Sequence, residues 1–263
     1  MEWVTQNGIT IGRFPPLAVI APGLEVFITT RGGGVSPPPF ASLNLGGDLG
    51  DRTLNIRSNR ALLLASLGIS SRSVARTGQI HGSEIALVTR AGCYPGFDGF
   101  VTTRKGLTLA ISTADCYSVV VYSPPERALA ALHVGRRGAE RGIVGRAVDI
   151  MRAEHRIDPS YAIAVIGPGI CGACYTVSRK DALRFPKEVR RFERGAWHLD
   201  LGAFILRELT HAGLRRRNVF SSGLCTACNP ALFFSHRRDH GITGRHWTLA
   251  TVGAAGPCSE RLR

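Results

Sequence analysis

Lysine is nearly missing from this chain: Lys105, Lys180 and Lys187 are the only ones, although Lys and Arg together number 33. Set against 19 acidic residues, they give a formal net charge of +14. A surplus of that kind serves proteins that neutralise nucleic-acid phosphates. Here the cations lie in short scattered clusters, Arg136-Arg137, Arg190-Arg191, Arg215-Arg216-Arg217 and Arg237-Arg238, with no aromatic interleaving. Arginine-rich composition accounts for most of the charge, and a nucleic-acid partner is not expected. Long apolar runs are also missing. Pro, Gly or a charge breaks each one well before ~18 residues, which argues against a transmembrane helix and a membrane partner. Met1-Glu2-Trp3-Val4-Thr5 shows no basic region leading into an apolar core, so no secretory leader is expected and the expected location is the cytoplasm. Methionine is limited to Met1 and Met151, and the 8 histidines contain no H-x-H pair. Multicopper chemistry needs many paired imidazoles, and blue-copper ligation usually adds an axial Met, so both are poorly supplied.

What the chain has is enough apolar material for a core. Of its 263 residues 44% are hydrophobic, no repeat or low-complexity tract divides them, and one domain over residues 1–263 is expected. Strands are predicted at Val26–Thr30, Ile85–Thr89, Leu107–Ser112, Val119–Tyr122, Ala128–His133 and Ala162–Ile166, near Val219, and at Trp247–Val252. Helices are predicted at Thr53–Leu67, stopped by Gly68, at Ile143–His155, and from about Leu201 to His211, stopped near Gly213. Adjacent strands without regular βαβ alternation point to an α+β layered fold.

Three segments carry the chemistry: Gln79-Ile80-His81-Gly82, Thr113-Ala114-Asp115-Cys116 and His133-Val134-Gly135-Arg136-Arg137-Gly138. Two imidazoles and one thiolate make an incomplete tetrahedral zinc set, and a catalytic zinc keeps its fourth position open. His81 to Cys116 is 35 residues and Cys116 to His133 is 17, too wide for a finger, so the fold must assemble the site. The bland alternative is two ordinary hydrogen-bonded histidines and an inert core thiol. Asp115 suits an orienting or acid–base role, or a plain turn cap. Asn44 and Gln79 offer amides fit to read a base or ribose. Arg137 and Arg237 or Arg238 are candidates for holding the phosphate of a small anionic substrate. His133 is expected to lead into a Gly-Arg-Arg-Gly turn.

Two further motifs stand outside this set. Gly32-Gly33-Gly34 and Asn44-Leu45-Gly46-Gly47 could form anion-binding nests or plain turns. Cys171-Gly172-Ala173-Cys174 and Cys225-Thr226-Ala227-Cys228 are both C-x-x-C pairs, the usual framework of a structural zinc, though buried or weakly reactive thiols fit as well. Cys93 and Cys258 bring the total to 7 in a chain without a visible leader, which favours reduced thiols.

In order along the chain, Gly32-Gly33-Gly34-Val35-Ser36, Ser42-Leu43-Asn44-Leu45-Gly46, Asn59-Arg60-Ala61-Leu62-Leu63, Gln79-Ile80-His81-Gly82, Ala114-Asp115-Cys116, His133 to Gly138, Ile166-Gly167-Pro168, Leu224-Cys225-Thr226 and Phe233 to Asp239 resemble the laccase-domain, or multicopper polyphenol oxidoreductase, family. The resemblance runs from about residue 25 to about 250. It implies sheets packed between helical layers, and metal ligands at His81, Cys116 and His133. Some members are described as purine nucleoside phosphorylases and others as peptidoglycan-editing factors. Arg136 stands where the family usually has Trp, Ser118 where it has Pro and Thr176 where it has Glu. The first change replaces a flat apolar wall with a cation.

Together these point to a zinc enzyme, with copper able to occupy the same site. The resemblance implies a purine nucleoside and phosphate as substrates, with free base and ribose 1-phosphate as products; the same zinc could deliver hydroxide to the purine C6, which would be adenosine deamination. Alternatives are a Cys116–His133 amide hydrolase acting on peptidoglycan precursors, a copper-binding polyphenol oxidase, and a basic nucleic-acid binder.

Overall fold

A computed structural model describes residues 1–47 and 50–253. Its first sheet has seven strands in the order β1 (Glu2–Gln6), β2 (Ile9–Arg13), β3 (Leu24–Thr29), β16 (His246–Val252), β8 (Thr108–Thr113), β4 (Val74–Gly78) and β6 (Gly92–Pro95). The second has six: β15 (Val219–Ser221), β11 (Ile163–Ile166), β9 (Tyr117–Ser123), β10 (Ala128–Val134), β7 (Gly99–Thr102) and β5 (Ile85–Leu87). A third, small sheet joins β12 (Thr176–Val177), β14 (Ala196–Leu199) and β13 (Arg190–Glu193). Both large sheets are mixed. Their pairings are antiparallel except where β4 meets β6 and β8, β5 meets β7, and β11 meets β15.

Successive side chains of a strand point to opposite faces. In β9, Val120 and Tyr122 enter a core shared with Val26, Ile28, Leu109, Ile111 and Ala250 of the first sheet. Val119 and Val121 point the other way, toward α4 (Ile143–His155) and α6 (Leu201–His211), which bury Val144, Ala147, Val148, Ile205 and Leu209. Behind the first sheet, α2 (Thr53–Leu67) packs Leu63 and Leu64 on Ile9, Ile11, Phe27 and Leu249. The layers therefore run helix, sheet, sheet, helix, as an α+β fold with mixed sheets between helices. Central strands buried on both faces explain why they read as unbroken apolar runs rather than as alternation.

The bounds of α2, α4 and α6 are those the apolar spacing and stop signals predict, and Gly68 takes the left-handed cap at φ 66. The short strands β1, β2, β4, β6 and β7 and the whole third sheet lie outside the sequence expectation. So do three short helices, α1 (Leu17–Ile20), α3 (Arg136–Glu140) and α5 (Arg179–Ala182). The expected Gly-Arg-Arg-Gly turn is corrected by α3: Gly135 is its N-cap, so β10 passes straight into a helix.

The glycine-rich loop after β3 is held by its own contacts. Gly34 and Val35 donate their N–H groups to Ser42 Oγ and Asn59 Oδ1, at 3.1 and 2.8 Å. Asn59, fully buried on α2, also donates to Ser36 Oγ and the carbonyls of Ser42 and Asn44. A side chain at Gly34 would strike the Ser42 carbonyl oxygen at 2.3 Å. Glycine is thus needed there for close backbone approach, and the plain-turn alternative describes the loop.

Candidate metal centre and its pocket

Three strand connections converge at one end of the two sheets. His81 lies between β4 and β5, Cys116 between β8 and β9, and His133 near the end of β10. Their ligating atoms all lie within 4.8 Å of one another. The two imidazole rings meet edge to face, 4.8 Å between centroids at 83°. His81 is exposed, Cys116 half-buried and His133 buried. His81 and Asp115 take positive φ values of 59 and 93, left-handed conformations that non-glycine residues adopt only when held.

What holds His81 is Asp98, a carboxylate that no sequence pattern singled out. It is fully buried at the start of β7 and accepts the backbone N–H groups of Ile80, His81 and Gly82 at 3.2, 3.0 and 2.7 Å. The same carboxylate meets His133 Nδ1 at 2.7 Å. That contact puts the Nδ1 proton toward Asp98 and leaves Nε2 for an ion or a thiol, as carboxylates behind metal-ligating histidines do. Burial pushes the Asp98 carboxyl up, but the bonds from His133 and Gly82 outweigh it and hold the group below the usual carboxylate range.

Electrostatics inside the set are strongly paired. Burial disfavours the Cys116 thiolate, yet His133 and His81 overcome that and bring the thiol down to about 6. Burial likewise disfavours the His133 cation, while Cys116 and Asp98 raise it to about 9. The direction is a thiolate stabilised between imidazoles, the form in which cysteine binds metals. Gly135 closes over the set, since a Cβ there would lie 2.9 Å from Cys116 Sγ and 3.3 Å from His81 Cδ2.

Asp115 points away from the donors. Its Oδ1 accepts from Thr226 Oγ1 and its Oδ2 from the Arg237 backbone N–H, both at 2.6 Å. The carboxylate therefore fixes the Asp115-Cys116 turn to the 225–238 loop. Beside it lies a hollow of about 480 Å³ lined by Arg136, Tyr175, Thr176, Val177, Ser178, Asp181 and Arg237. Arg237 Nη1 donates to Thr176 O and Oγ1 at 2.8 Å each, and its guanidinium stacks 5.1 Å above the Tyr175 ring. Arg136 is not loose there, because Asp181 holds it at 2.6 Å.

The remaining candidates have other places. Asn44 is fully buried, donating to Asp51 and accepting from Gly46 and Arg245 backbone N–H groups. Gln79 pairs both amide atoms with the Ser112 backbone, at 2.7 and 2.8 Å. Both amides therefore tie the scaffold around the site. Arg238 bonds Asp239 and the carbonyls of Thr226 and Phe233. Arg137 lines an adjoining depression with Glu140, Arg141, Lys180 and Arg184, which shares Arg136, Ser178 and Asp181 with the hollow. Sequence reading missed Tyr175 and Arg245 as well as Asp98. Arg245 is half-buried, its guanidinium pushed down by burial and drawn up by the nearby Cys116 and Asp115. Met151 is on α4 and sealed in the core, and Met1 packs at Gly12.

The class defined by this geometry is a layered α+β protein whose strand connections assemble a Cys–His donor set that could hold a metal ion. The profile of a family described as multi-copper polyphenol oxidoreductase laccase matches residues 25–253, and the chain belongs to that family. A purine nucleoside phosphorylase of Geobacillus stearothermophilus, YlmD, is 36% identical over 257 residues, covering 91% of this chain and 92% of that one. A purine nucleoside phosphorylase of Deinococcus radiodurans is 36% identical over 254 residues, covering 94% of each. The crystal structure of Geobacillus stearothermophilus YlmD superposes with a TM-score of 0.88 at 32% identity, covering 95% of this chain and 97% of that one. Bacillus licheniformis YfiH gives 0.88 at 29%, covering 95% and 99%. Among the described residues, no helix is long and apolar enough to cross a membrane.

Proposed function

We propose that this chain is a zinc-dependent purine nucleoside phosphorylase, converting adenosine, inosine or guanosine and phosphate to free base and ribose 1-phosphate. The observation that carries this reading is the His81–Cys116–His133 set linked to a phosphate-capable cation: Asp115, next to Cys116, accepts the backbone N–H of Arg237, which lines the hollow with Tyr175. The two relatives that bear the phosphorylase name support it over most of the chain.

The donor set fits zinc. Two imidazoles and one thiolate leave one tetrahedral position open, and Asp98 already orients His133 for ligation. Held by His81, Cys116 and His133, a zinc would supply a Lewis acid. The chain's own residues do the rest. Arg237, pinned by Thr176 and Tyr175, is the cation for phosphate, and its planar fork suits phosphate oxygens. Tyr175 offers the aromatic face for the base, in place of the Trp that Arg136 replaces. Asp115 positions both Cys116 and Arg237 through its two carboxylate oxygens. In phosphorolysis a phosphate oxygen bonds to the ribose anomeric carbon as the carbon–nitrogen bond to the purine breaks. The base leaves with the electron pair and takes up a proton. Adenosine deamination at the same site adds water at the purine C6 and releases ammonia.

The test is turnover of adenosine and inosine by purified protein with and without phosphate. Free base and ribose 1-phosphate are expected only with phosphate, together with ammonia from adenosine. Arg237→Ala should raise the KM for phosphate roughly tenfold, the worth of one charge-assisted hydrogen bond at ~1.5 kcal/mol, with a smaller change in kcat. An unchanged phosphate KM would remove Arg237 from the site, and no base release with phosphate would sink the phosphorylase.

A second reading rests on the line from Cys116 through His133 to Asp98, which is also nucleophile, base and orienting carboxylate of a thiol amide hydrolase. A strong chelator separates the two. Metal-dependent nucleoside cleavage should vanish in it, whereas thiol hydrolysis should persist.

A further inference from the structure

We propose that Cys171, Cys174, Cys225 and Cys228 bind a second zinc, a structural tetrathiolate ion that fastens the pocket wall to the Asp115-Cys116 turn. These thiols take no part in the centre described above. β11 and β15 run parallel side by side, so the loops leaving them emerge together. The loops are then joined by their backbones: Gly169 donates to the Leu224 carbonyl at 3.3 Å and Thr226 to the Gly169 carbonyl at 3.1 Å. That pairing brings two C-x-x-C segments together from sequence positions 54 residues apart, as the bond from Cys171 N to Cys225 Sγ at 3.3 Å records.

All four sulfurs lie within 4.8 Å of one another, and Cys174 and Cys228 are 3.4 Å apart. A tetrahedral zinc with Zn–S bonds of ~2.3 Å has sulfur–sulfur edges of about 3.8 Å, so the four thiols surround one ion's space with only small adjustment. The same spacing disfavours other uses. A disulfide needs sulfurs ~2.05 Å apart, and all four thiols are free. A cluster of several irons spreads its thiolates over a larger body than a single ion does. The backbone N–H of Cys171 on Cys225 Sγ, and that of Cys228 on the same atom, are the donors that offset the negative charge of a zinc held by four thiolates.

The location gives such an ion a purpose. Thr226, next to Cys225, holds Asp115 Oδ1 at 2.6 Å. Ile170, next to Cys171, donates its N–H to the Asp115 carbonyl at 2.9 Å and accepts from Tyr117 Oη at 3.0 Å. Tyr175, next to Cys174, forms the wall under Arg237. Three of the four ligands are thus one residue from a contact that places Cys116 or lines the hollow.

The experiment is metal analysis by mass spectrometry of the wild type, His81→Ala and Cys174→Ser/Cys228→Ser, each purified without chelator. His81→Ala should retain about one tightly held zinc per chain, and the cysteine variant should hold one equivalent less than the wild type. X-ray absorption on zinc-loaded His81→Ala should show four sulfurs at ~2.3 Å and no nitrogen shell. That spectrum decides the matter even where the cysteine variant fails to fold. Iron in place of zinc, a Cys174–Cys228 disulfide in the peptide mass map, or His81→Ala free of zinc would each overturn the proposal. Absence of phosphorolysis leaves these readouts untouched, so the two proposals fail separately.

Discussion

Asp98→Ala is expected to lower folding stability by ~3–5 kcal/mol and to weaken zinc binding at the His81 site by ten- to a hundredfold. The carboxylate is fully buried, and its removal strands four donors at once: the N–H groups of Ile80, His81 and Gly82 and the ring nitrogen of His133. Each buried donor left without an acceptor costs ~1–3 kcal/mol, reduced where water enters the space. Beyond energy, the substitution frees the His81 backbone from its left-handed conformation and lets the His133 ring choose the wrong tautomer. Urea unfolding measures the first effect and a zinc titration the second. Asp98→Asn should fall between wild type and Ala, since an amide can still accept but turns an NH₂ toward one of the donors. Stability within ~0.5 kcal/mol of wild type would mean that Asp98 does not organise the site.

Gly135→Val should leave the protein folded and the centre broken. The residue has φ −86 and ψ 171, a conformation any amino acid adopts, so the backbone itself does not demand glycine. The demand comes from Cys116 Sγ at 2.9 Å, His81 Cδ2 at 3.3 Å and His133 Cε1 at 3.8 Å from the position of an added Cβ. A valine must push these donors apart. Misplacement on the order of 1 Å costs about a hundredfold in rate, so turnover and ion affinity should fall at least that far. Overpacking should cost only ~1–3 kcal/mol of stability. Gly145→Ala on α4, where an added Cβ meets nothing within 4 Å, is the matched control and should be silent in both assays. Full turnover by Gly135→Val would show that the reaction does not run at these three residues.

Of the three proposed metal donors, Cys116 and His133 were legible at the ends of apolar strands, where a turn presents a side chain on rigid support, whereas His81 follows β4, whose Arg76 and Thr77 break the apolar run. The helices α2, α4 and α6 were legible because a dozen or so residues give apolar spacing room to repeat. Asp98 was not, for it is one carboxylate in Phe97-Asp98-Gly99 with no partner nearby in sequence. Only the placement of β7 between β5 and β10 brings it to His133 and to the His81 loop at the same time. Arg245 and Tyr175 share that property, being ordinary residues until the sheets close. Asn44 and Gln79 show the reverse. Amides near a motif are readable in the sequence, but whether they face a ligand or a carbonyl is settled by which backbone groups the fold leaves without partners. The cysteine pairs were legible as a framework, and their convergence needed the parallel pairing of β11 with β15.

His81 hangs on the connection from β4 to β5, and β5 is the three-residue margin of the second sheet, while Cys116 directly precedes its central strand β9 and His133 lies in its central strand β10. On heating, sheet margins open before centres do. The site should therefore come apart by partial melting, with His81 swinging out while both sheets stay closed. Activity would then have a lower midpoint than the circular dichroism signal, and an ion bridging His81 to the central strands would act as the clasp that brings the two midpoints together.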